Sequence, residues 1–347
     1  MRKYLDATIS AKASDLHLVV GQPPLLRIDG VLRDISGEKP LLAEDSKGLI
    51  YSTLRPDLRE RLAMYKEIDY SFDYDNHRYR GNAYYERGNL AGTFRLIPMQ
   101  VPSLKDLGLP PIIERFTYLK QGFVIITGPT GHGKSTTIAS MIDHINKTRR
   151  ENIITIEDPI EYVFKHVKSV ISQRELGVDT ESIARALRSA LREDPNIIFV
   201  GEMRDYETIE AALTLAETGH LVLTTLHTND VAQTPDRILT YFPAHQQVQI
   251  RIQLANTLSA VISQRLLPKV SGGRVPAVEV LIANGAVKNL IREGKTYQLY
   301  SVLDTSAAEG MISLDKVLAD LVSSGEVAMD DALPWVRDQK VFKSMVQ

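Results

Sequence analysis

The chemistry of this chain is concentrated between residues 128 and 230. Gly128, Pro129, Thr130, Gly131, His132, Gly133, Lys134 and Ser135 fit the pattern G-x-x-x-x-G-K-[ST], and Thr136 follows. Such a loop turns backbone N–H groups inward around a phosphate chain, and the helix that follows adds its positive end. Lys134 is placed to reach the β and γ phosphates, and Ser135 to give a hydroxyl to Mg²⁺. Binding is mainly through backbone, so Thr130, Gly131, His132 and Thr136 also count as nucleotide-binding positions. The bland alternative is a glycine-rich turn before a helix.

Phosphoryl chemistry also needs a carboxylate where a buried strand ends beside the phosphates, to hold the metal through water or orient the attacking water. The apolar run 197–200 leads into Gly201 and Glu202. Gly201 stands where many P-loop proteins carry aspartate, so Glu202 is the candidate base and metal-side carboxylate. Otherwise it is a solvated strand-end residue. Residues 154–161, ITIEDPIE, add Glu157, Asp158 and Glu161 after another apolar run. Three carboxylates there repel a nucleotide unless Mg²⁺ or arginines intervene. Either one of them positions metal-bound water, or Asp158-Pro159 simply opens a turn. His220 and His227 flank a strand-like run. An imidazole there can bond a phosphate or a switching glutamate, or be structural. Arg80 and Arg95 lie in strand-like segments, facing solvent or acting as arginine fingers. Arg185, Arg188 and Arg192 share a helix face that is either solvated or an interface.

The elements that must position these groups follow from the pattern. Residues 123–127 are an unbroken apolar run, as in a strand buried on both faces. NIITIE, SVIS, NIIFVGE and HLVLTTL repeat that character. Helical stretches at 135–145, 180–192 and 206–217 lie between them; Ile183, Leu187 and Leu191 form an apolar stripe on the second. Alternating strand and helix predicts an α/β layer on a largely parallel sheet. After Pro243 the chain reads as mainly helical, with a short hairpin turning at Gly272-Gly273. The first hundred residues differ. A hairpin turning at Asp29-Gly30, helices near 43–54 and 56–64, and three aromatic-rich strands separated at Asp75-Asn76 and Gly88-Asn89 predict an α+β domain over 1–98. Pro98, Pro102, Pro110 and Pro111 make 99–111 a stiff linker, and 112–347 forms the second domain.

Composition bounds the rest. At 347 residues the chain has room for two domains. With 44% apolar and 24% charged residues, disordered and fibrous classes are excluded. A net charge of -2 speaks against a dedicated nucleic-acid binder. Zero cysteines exclude disulfides, thiolate nucleophiles and cysteine-ligated zinc. No apolar run approaches the ~20 residues that cross a bilayer, and the charged N-terminus does not suit a signal peptide. The expectation is a soluble cytoplasmic protein.

The motifs SDLHLVVGQPPLLRIDGVL, VPSLKDLGLP, GPTGHGKSTT, ITIEDPIEY, QRELG, ALRSALREDPNIIFVGEMRD and TGHLVLTTLHTND resemble the secretion ATPase superfamily. From about residue 2 to 321 the chain is similar to its type IV pilus retraction ATPases. AVKNLIREGK, residues 286–295, is similar to their C-terminal retraction motif, typically written AIRNLIRE. The resemblance implies a PAS-like α+β domain followed by a RecA-like P-loop ATPase domain with a helical C-terminal part. It implies ATP and Mg²⁺ bound between the domains, and a homohexamer that powers pilus disassembly and twitching motility. Its place would be the cytoplasmic side of the inner membrane, with the platform protein, the pilus base and a possible partner retraction ATPase, and without nucleic acid. Gly128, Gly133, Lys134 and Ser135 carry over as Walker A residues, Glu202 as the atypical Walker B glutamate, Glu157 to Glu161 as the Asp box and His220 to His227 as the His box. Arg80 and Arg95 become the arginines that reach the phosphates.

Alternatives within the superfamily are an accessory retraction paralogue and an assembly or type II secretion ATPase. The latter typically carries a four-cysteine zinc element and a longer N-terminal region. A nucleic-acid translocase and a small-molecule kinase are the readings from other classes. His132 departs from the usual serine and could make the charge near the γ-phosphate pH-dependent. Lys288 replaces the motif's arginine and loses a bidentate fork.

Overall fold

The structure, a computed structural model, describes residues 1–28, 30–97 and 100–346. The chain forms two compact units, Met1–Gln100 with Pro159–Val163, and Val101–Asp158 with Phe164–Gln347. The sequence reading put residues 159–163 with the ATPase motifs; they pack in the first unit instead.

In the first unit, α1 (Arg2–Ser10) precedes β1 (Asp15–Leu18), β2 (Leu25–Ile28) and β3 (Val31–Asp34). Helices α2 (Ala43–Tyr51) and α3 (Pro56–Tyr65) follow, then β4 (Glu67–Tyr74), β5 (His77–Glu86) and β6 (Asn89–Ile97). The sheet runs β3-β2-β1-β6-β5-β4, and its neighbours are antiparallel. Leu16, Leu18, Ile50, Leu62, Tyr79 and Phe94 fill the core under it. Asp75 and Asn76 both take positive φ in the β4–β5 turn, as a two-residue hairpin requires. Glu86 pairs with Asn89, so the next turn is Arg87-Gly88, one residue earlier than expected. Arg87 accepts φ +51° there. Of the first expected turn, Gly30 has φ +81°. Asp29 lies outside the described residues, as does Pro98.

The second unit comprises α4 (Ile112–Phe116), β7 (Gly122–Thr127), α5 (Lys134–Thr148), β8 (Asn152–Glu157), β9 (Val170–Glu175), α6 (Ile183–Ala190) and β10 (Ile197–Val200). It continues through α7 (Tyr206–Glu217), β11 (Leu221–Thr225), α8 (Thr234–Leu239), α9 (Ala244–Thr257), β12 (Leu258–Pro268) and β13 (Arg274–Ile282). Helices α10 (Gly285–Glu293), α11 (Leu299–Thr305), α12 (Leu314–Ser323), α13 (Met329–Ala332) and α14 (Gln339–Val346) close it. The sheet order is β13-β12-β7-β11-β10-β8-β9. Every neighbouring pair is parallel except β12–β13.

Successive residues of a strand point to opposite faces. Ile125, Ile198 and Val222 therefore pack on one side, while Val124, Ile126, Ile197 and Leu223 meet Ile138 and Ile142 of α5 on the other.

Four sequence expectations change here. β9 is an edge strand, and Val170 at its start is exposed. Leu191 falls just past α6 and is exposed rather than continuing the stripe with Leu187, and Arg192 lies beyond the helix too. The hairpin after Gly272-Gly273 is not a small insertion. Its strands are the long β12 and β13, which extend the main sheet beside β7. Part of the stretch expected to be a stiff linker packs into the second unit. Leu104 and Leu109 enter the core, and the Pro102 carbonyl accepts from Ser140 Oγ at 2.7 Å.

Candidate functional site

Parallel strands place their C-terminal ends on one edge, where α/β sheets bind ligands. The order β7-β11-β10-β8 sets four loops side by side: Gly128 onward, His227, Gly201-Glu202 and Glu157-Asp158. In the first, Gly128, Gly131 and Gly133 have φ of +136°, +81° and +81°, which L side chains resist. A β-carbon on Gly128 would also sit 2.3 Å from the Gln264 carbonyl oxygen. Helix α5 starts at Lys134, so Ser135 and Thr136 form its first turn and Thr130 lies exposed on the loop before it.

Lys134 is buried. Its Nζ donates to the carbonyls of Gly128 at 2.8 Å and Pro129 at 2.9 Å, and stands 3.4 Å from His227 Nδ1. An ammonium only donates, so Nδ1 accepts and the imidazole proton sits on Nε2. That nitrogen is 3.1 Å from Glu202 Oε1. Arg204 Nη2 donates to Glu202 Oε2 at 2.8 Å, and Nη1 lies 3.6 Å from Asp158 Oδ2. The result is a line of alternating donors and acceptors across four strand ends. Burial pushes the Glu202 carboxyl up. The Arg204 hydrogen bond and charge, then His227, outweigh it and hold Glu202 below the usual carboxylate range. The glycine before it is steric: a β-carbon at Gly201 would lie 3.3 Å from Glu157 Cα.

The acidic segment divides. Glu157 is buried, and its Oε1 accepts from Thr155 Oγ1 at 2.6 Å and Gln173 Nε2 at 3.2 Å. Glu161 belongs to the first unit and lies 3.8 Å from Arg80 Nη1. His220 stands apart. It precedes β11, at the end opposite His227, and its Nδ1 contacts the Leu215 carbonyl at 2.9 Å. His132 turns toward β12: its Nδ1 accepts from the Leu266 N–H at 2.9 Å. Burial, then the charges of Arg265, Lys134 and Arg274, push its pKa down.

Arg80 and Arg95 are directly opposed across β5 and β6. The same row continues through Asp15 to Arg27, so three arginines share a sheet face with one carboxylate. Arg95 Nε bonds Asp15 Oδ1 at 2.9 Å. Like charges directly opposite destabilise a sheet, and Asp15 beside Arg95 and Glu161 beside Arg80 offset that repulsion.

The donor set suits Mg²⁺. Ser135 offers a hydroxyl on the first turn of α5 and Glu202 a carboxylate, both hard oxygens. Among the described residues no group of three or more acidic or histidine side chains is arranged to hold a metal by itself. A nucleotide-bound Mg²⁺ draws its other ligands from phosphate and water.

Sequence reasoning missed Arg204, Gln173 and Gln264. Arg204 stood in plain view two residues after Glu202. Gln264 donates from Nε2 to the His132 carbonyl at 2.8 Å and accepts from Thr137 at 2.7 Å, but no local signal ties β12 to a loop 130 residues earlier.

A seven-stranded, mostly parallel sheet with a P-loop and a strand-end glutamate defines a RecA-like ATPase. The family model described as "Type II/IV secretion system protein" matches residues 99–272. Type IV pilus retractation ATPase PilT of Pseudomonas aeruginosa is 46% identical over 321 residues, covering 92% of this chain and 93% of that protein. Type IV pilus ATPase PilU of the same organism is 36% identical over 347 residues, covering 99% and 91%. The crystal structure of the pilus retraction motor PilT with bound ADP superposes with a TM-score of 0.92 at 46% identity, covering 99% of each chain. The chain belongs to the type II/IV secretion ATPase family, among its PilT-like members.

Proposed function

We propose that this ATPase powers type IV pilus retraction, and with it twitching motility, as a homohexamer on the cytoplasmic side of the inner membrane. The observation that carries the reading is the 46% identity to PilT along nearly the whole chain. The lower identity to PilU, 36%, makes the accessory role the second reading. Among the described residues no helix is long and apolar enough to cross a membrane. The platform protein, the pilus base and a partner retraction ATPase are the proposed contacts.

In this mechanism the loop N–H groups and Lys134 bind the phosphates of ATP. Ser135 and Glu202 would hold Mg²⁺, whose charge offsets that developing on the phosphates. Glu202 orients water for in-line attack, and His227 holds Glu202 in place through Nε2–H. Glu157 is positioned by Thr155 and Gln173 to bind metal-side water. Arg80 and Arg95 supply positive charge to the transferring phosphoryl group. The test is a deletion in a piliated host, scored for piliation and motility together. Excess pili with lost motility supports retraction. Bare cells would assign assembly instead.

A further inference from the structure

The chain holds a single tryptophan, Trp335. It ends the short 3-10 turn Leu333–Trp335 and packs on the C-terminal cluster of Leu267, Ala277, Leu318 and Phe342. Its ring meets the His132 ring edge-on, with centroids 5.4 Å apart at 71°. The Arg265 guanidinium lies over the same indole, 5.0 Å from its centroid. One aromatic side chain of the C-terminal helices thus touches a residue of the phosphate loop and a buried cation behind it.

Two residues of β12, Gln264 and Leu266, bond the other side of that loop, and Arg265 between them packs beside Gly128. Gln264 bonds the His132 carbonyl and Thr137, as described. The Leu266 N–H reaches His132 Nδ1. Arg265 is only 3% exposed. Its Nη1 donates to the Gln264 carbonyl at 3.0 Å, its Nη2 donates to the Asn229 carbonyl, and its Nε is buried without a hydrogen-bond partner among the described residues. A β-carbon on Gly128 would lie 3.0 Å from Nη1. A guanidinium this dry has lost most of its hydration, and an indole face is one of the few groups that attracts it there.

We propose that Trp335 is a positioning residue for nucleotide binding: through His132 and Arg265 it latches the phosphate loop against β12, so that the C-terminal helices set the loop's affinity for ADP and ATP. The proposal rests on residues 128–136 being the nucleotide site. A loop already held in its binding shape loses less freedom when phosphate arrives, and so binds more tightly. His132 suits the role better than serine would, because only a ring reaches Trp335 while its nitrogen still takes the Leu266 N–H.

The test uses the full-length protein, with ADP affinity measured by calorimetry and Trp335 emission as a single-site reporter. ADP should shift the emission of the parent, with a midpoint that matches the calorimetric Kd. His132→Ala and Trp335→Leu should each weaken ADP binding roughly three- to thirtyfold, on the scale of one ring contact plus one hydrogen bond. The double variant should lose little more than the worse single one. Trp335→Phe should recover most of the affinity. Should Trp335→Leu fail to fold, His132→Ala decides alone, because ADP should no longer shift Trp335 emission in it. The latch is overturned if the parent binds ADP with no change in emission, or if His132→Ala keeps both its affinity and its emission shift. A parent that binds no ADP by calorimetry would instead overturn the nucleotide-site reading on which the latch rests.

Discussion

His227 and Glu202 meet through Nε2 and Oε1 at 3.1 Å, and this contact ties the end of β11 to the end of β10. Lys134 stands at the other imidazole nitrogen and Arg204 at the other carboxylate oxygen. Glu202 thus has both oxygens engaged. Each carboxylate oxygen keeps a second lone pair, so Glu202 can still accept from a water while His227 and Arg204 hold it.

Ground-state binding and turnover should separate at this site. Lys134 contributes charge-assisted bonds to phosphate, so Lys134→Ala should weaken ATP binding roughly 10- to 100-fold. Glu202 acts on water in the transition state. Glu202→Gln should keep ATP affinity within about threefold while turnover falls about 10²- to 10⁴-fold. Calorimetry and a phosphate-release assay on both variants check this. Parental turnover in Glu202→Gln would show the base to be misassigned.

The Arg204–Glu202 pair predicts a pH effect. Burial alone raises the Glu202 carboxyl, and Arg204 is the main cause that reverses the shift. Arg204→Ala should therefore move the acid limb of the turnover profile to higher pH. The stability sign follows. A carboxyl depressed in the folded state stabilises above its unfolded pKa, near 4.3, and that stability is lost as pH falls through the folded value. Thermal melts should show Arg204→Ala less stable than the parent at neutral pH, with the gap closing as pH falls below about 4. A gap that stays constant with pH would mean that Arg204 acts by packing alone.

The arginine row separates structure from catalysis. Among the described residues Arg80 pairs with the partly exposed Glu161 at 3.8 Å, a contact worth less than about 1 kcal/mol. Arg80→Ala should melt close to the parent while turnover falls about 10³-fold or more. Arg95 pairs with the buried Asp15, whose other oxygen accepts from Ser14 Oγ at 2.7 Å. Arg95→Ala should cost stability as well as rate, and Arg95→Lys should recover more of the first than of the second. If Arg80→Ala hydrolyses ATP at the parental rate, the row is only architectural.

What was legible in the sequence was local. The P-loop, Glu202 and helix α7 could be read because strand, turn and helix signals lie within a few residues of one another. What escaped depends on pairing over long distances. The opposition of Arg80 and Arg95 is set by the β5–β6 register, and the Asp15 contact by β1 lying against β6. Gln264 and Trp335 reach the phosphate loop only because β12 pairs with β7. SVIS resembles the inner strands in composition, but nothing in four residues shows that β9 has a neighbour on one side only. Leu104 and Leu109 were hidden by the prolines around them, which signal stiffness but not burial.

Helix α10 yields the last prediction. Val287 and Ile291 are fully buried, Asn284 Oδ1 caps the first turn by accepting from the Val287 N–H at 3.0 Å, and Gly294 ends the helix at φ +70°. These contacts fix the helix in the second unit. Ala286, Asn289, Arg292 and Glu293 remain exposed. Asn289 donates to Glu293 Oε1 at 2.8 Å, and Arg292 Nη2 reaches Asn256 Oδ1 at 3.4 Å, both surface contacts of little energetic weight. Lys288, at the position where the motif usually has arginine, donates to the Asn256 carbonyl at 3.3 Å. Asn289→Ala with Arg292→Ala should therefore change stability by no more than about 0.5 kcal/mol for each substitution, and leave basal ATP hydrolysis near the parental rate. If this face passes motion to a neighbouring subunit or to the pilus machine, the same double variant should abolish twitching in a piliated host. Unfolding or loss of hydrolysis would make the helix structural or catalytic. Normal motility would show that its polar face is only a solvated surface.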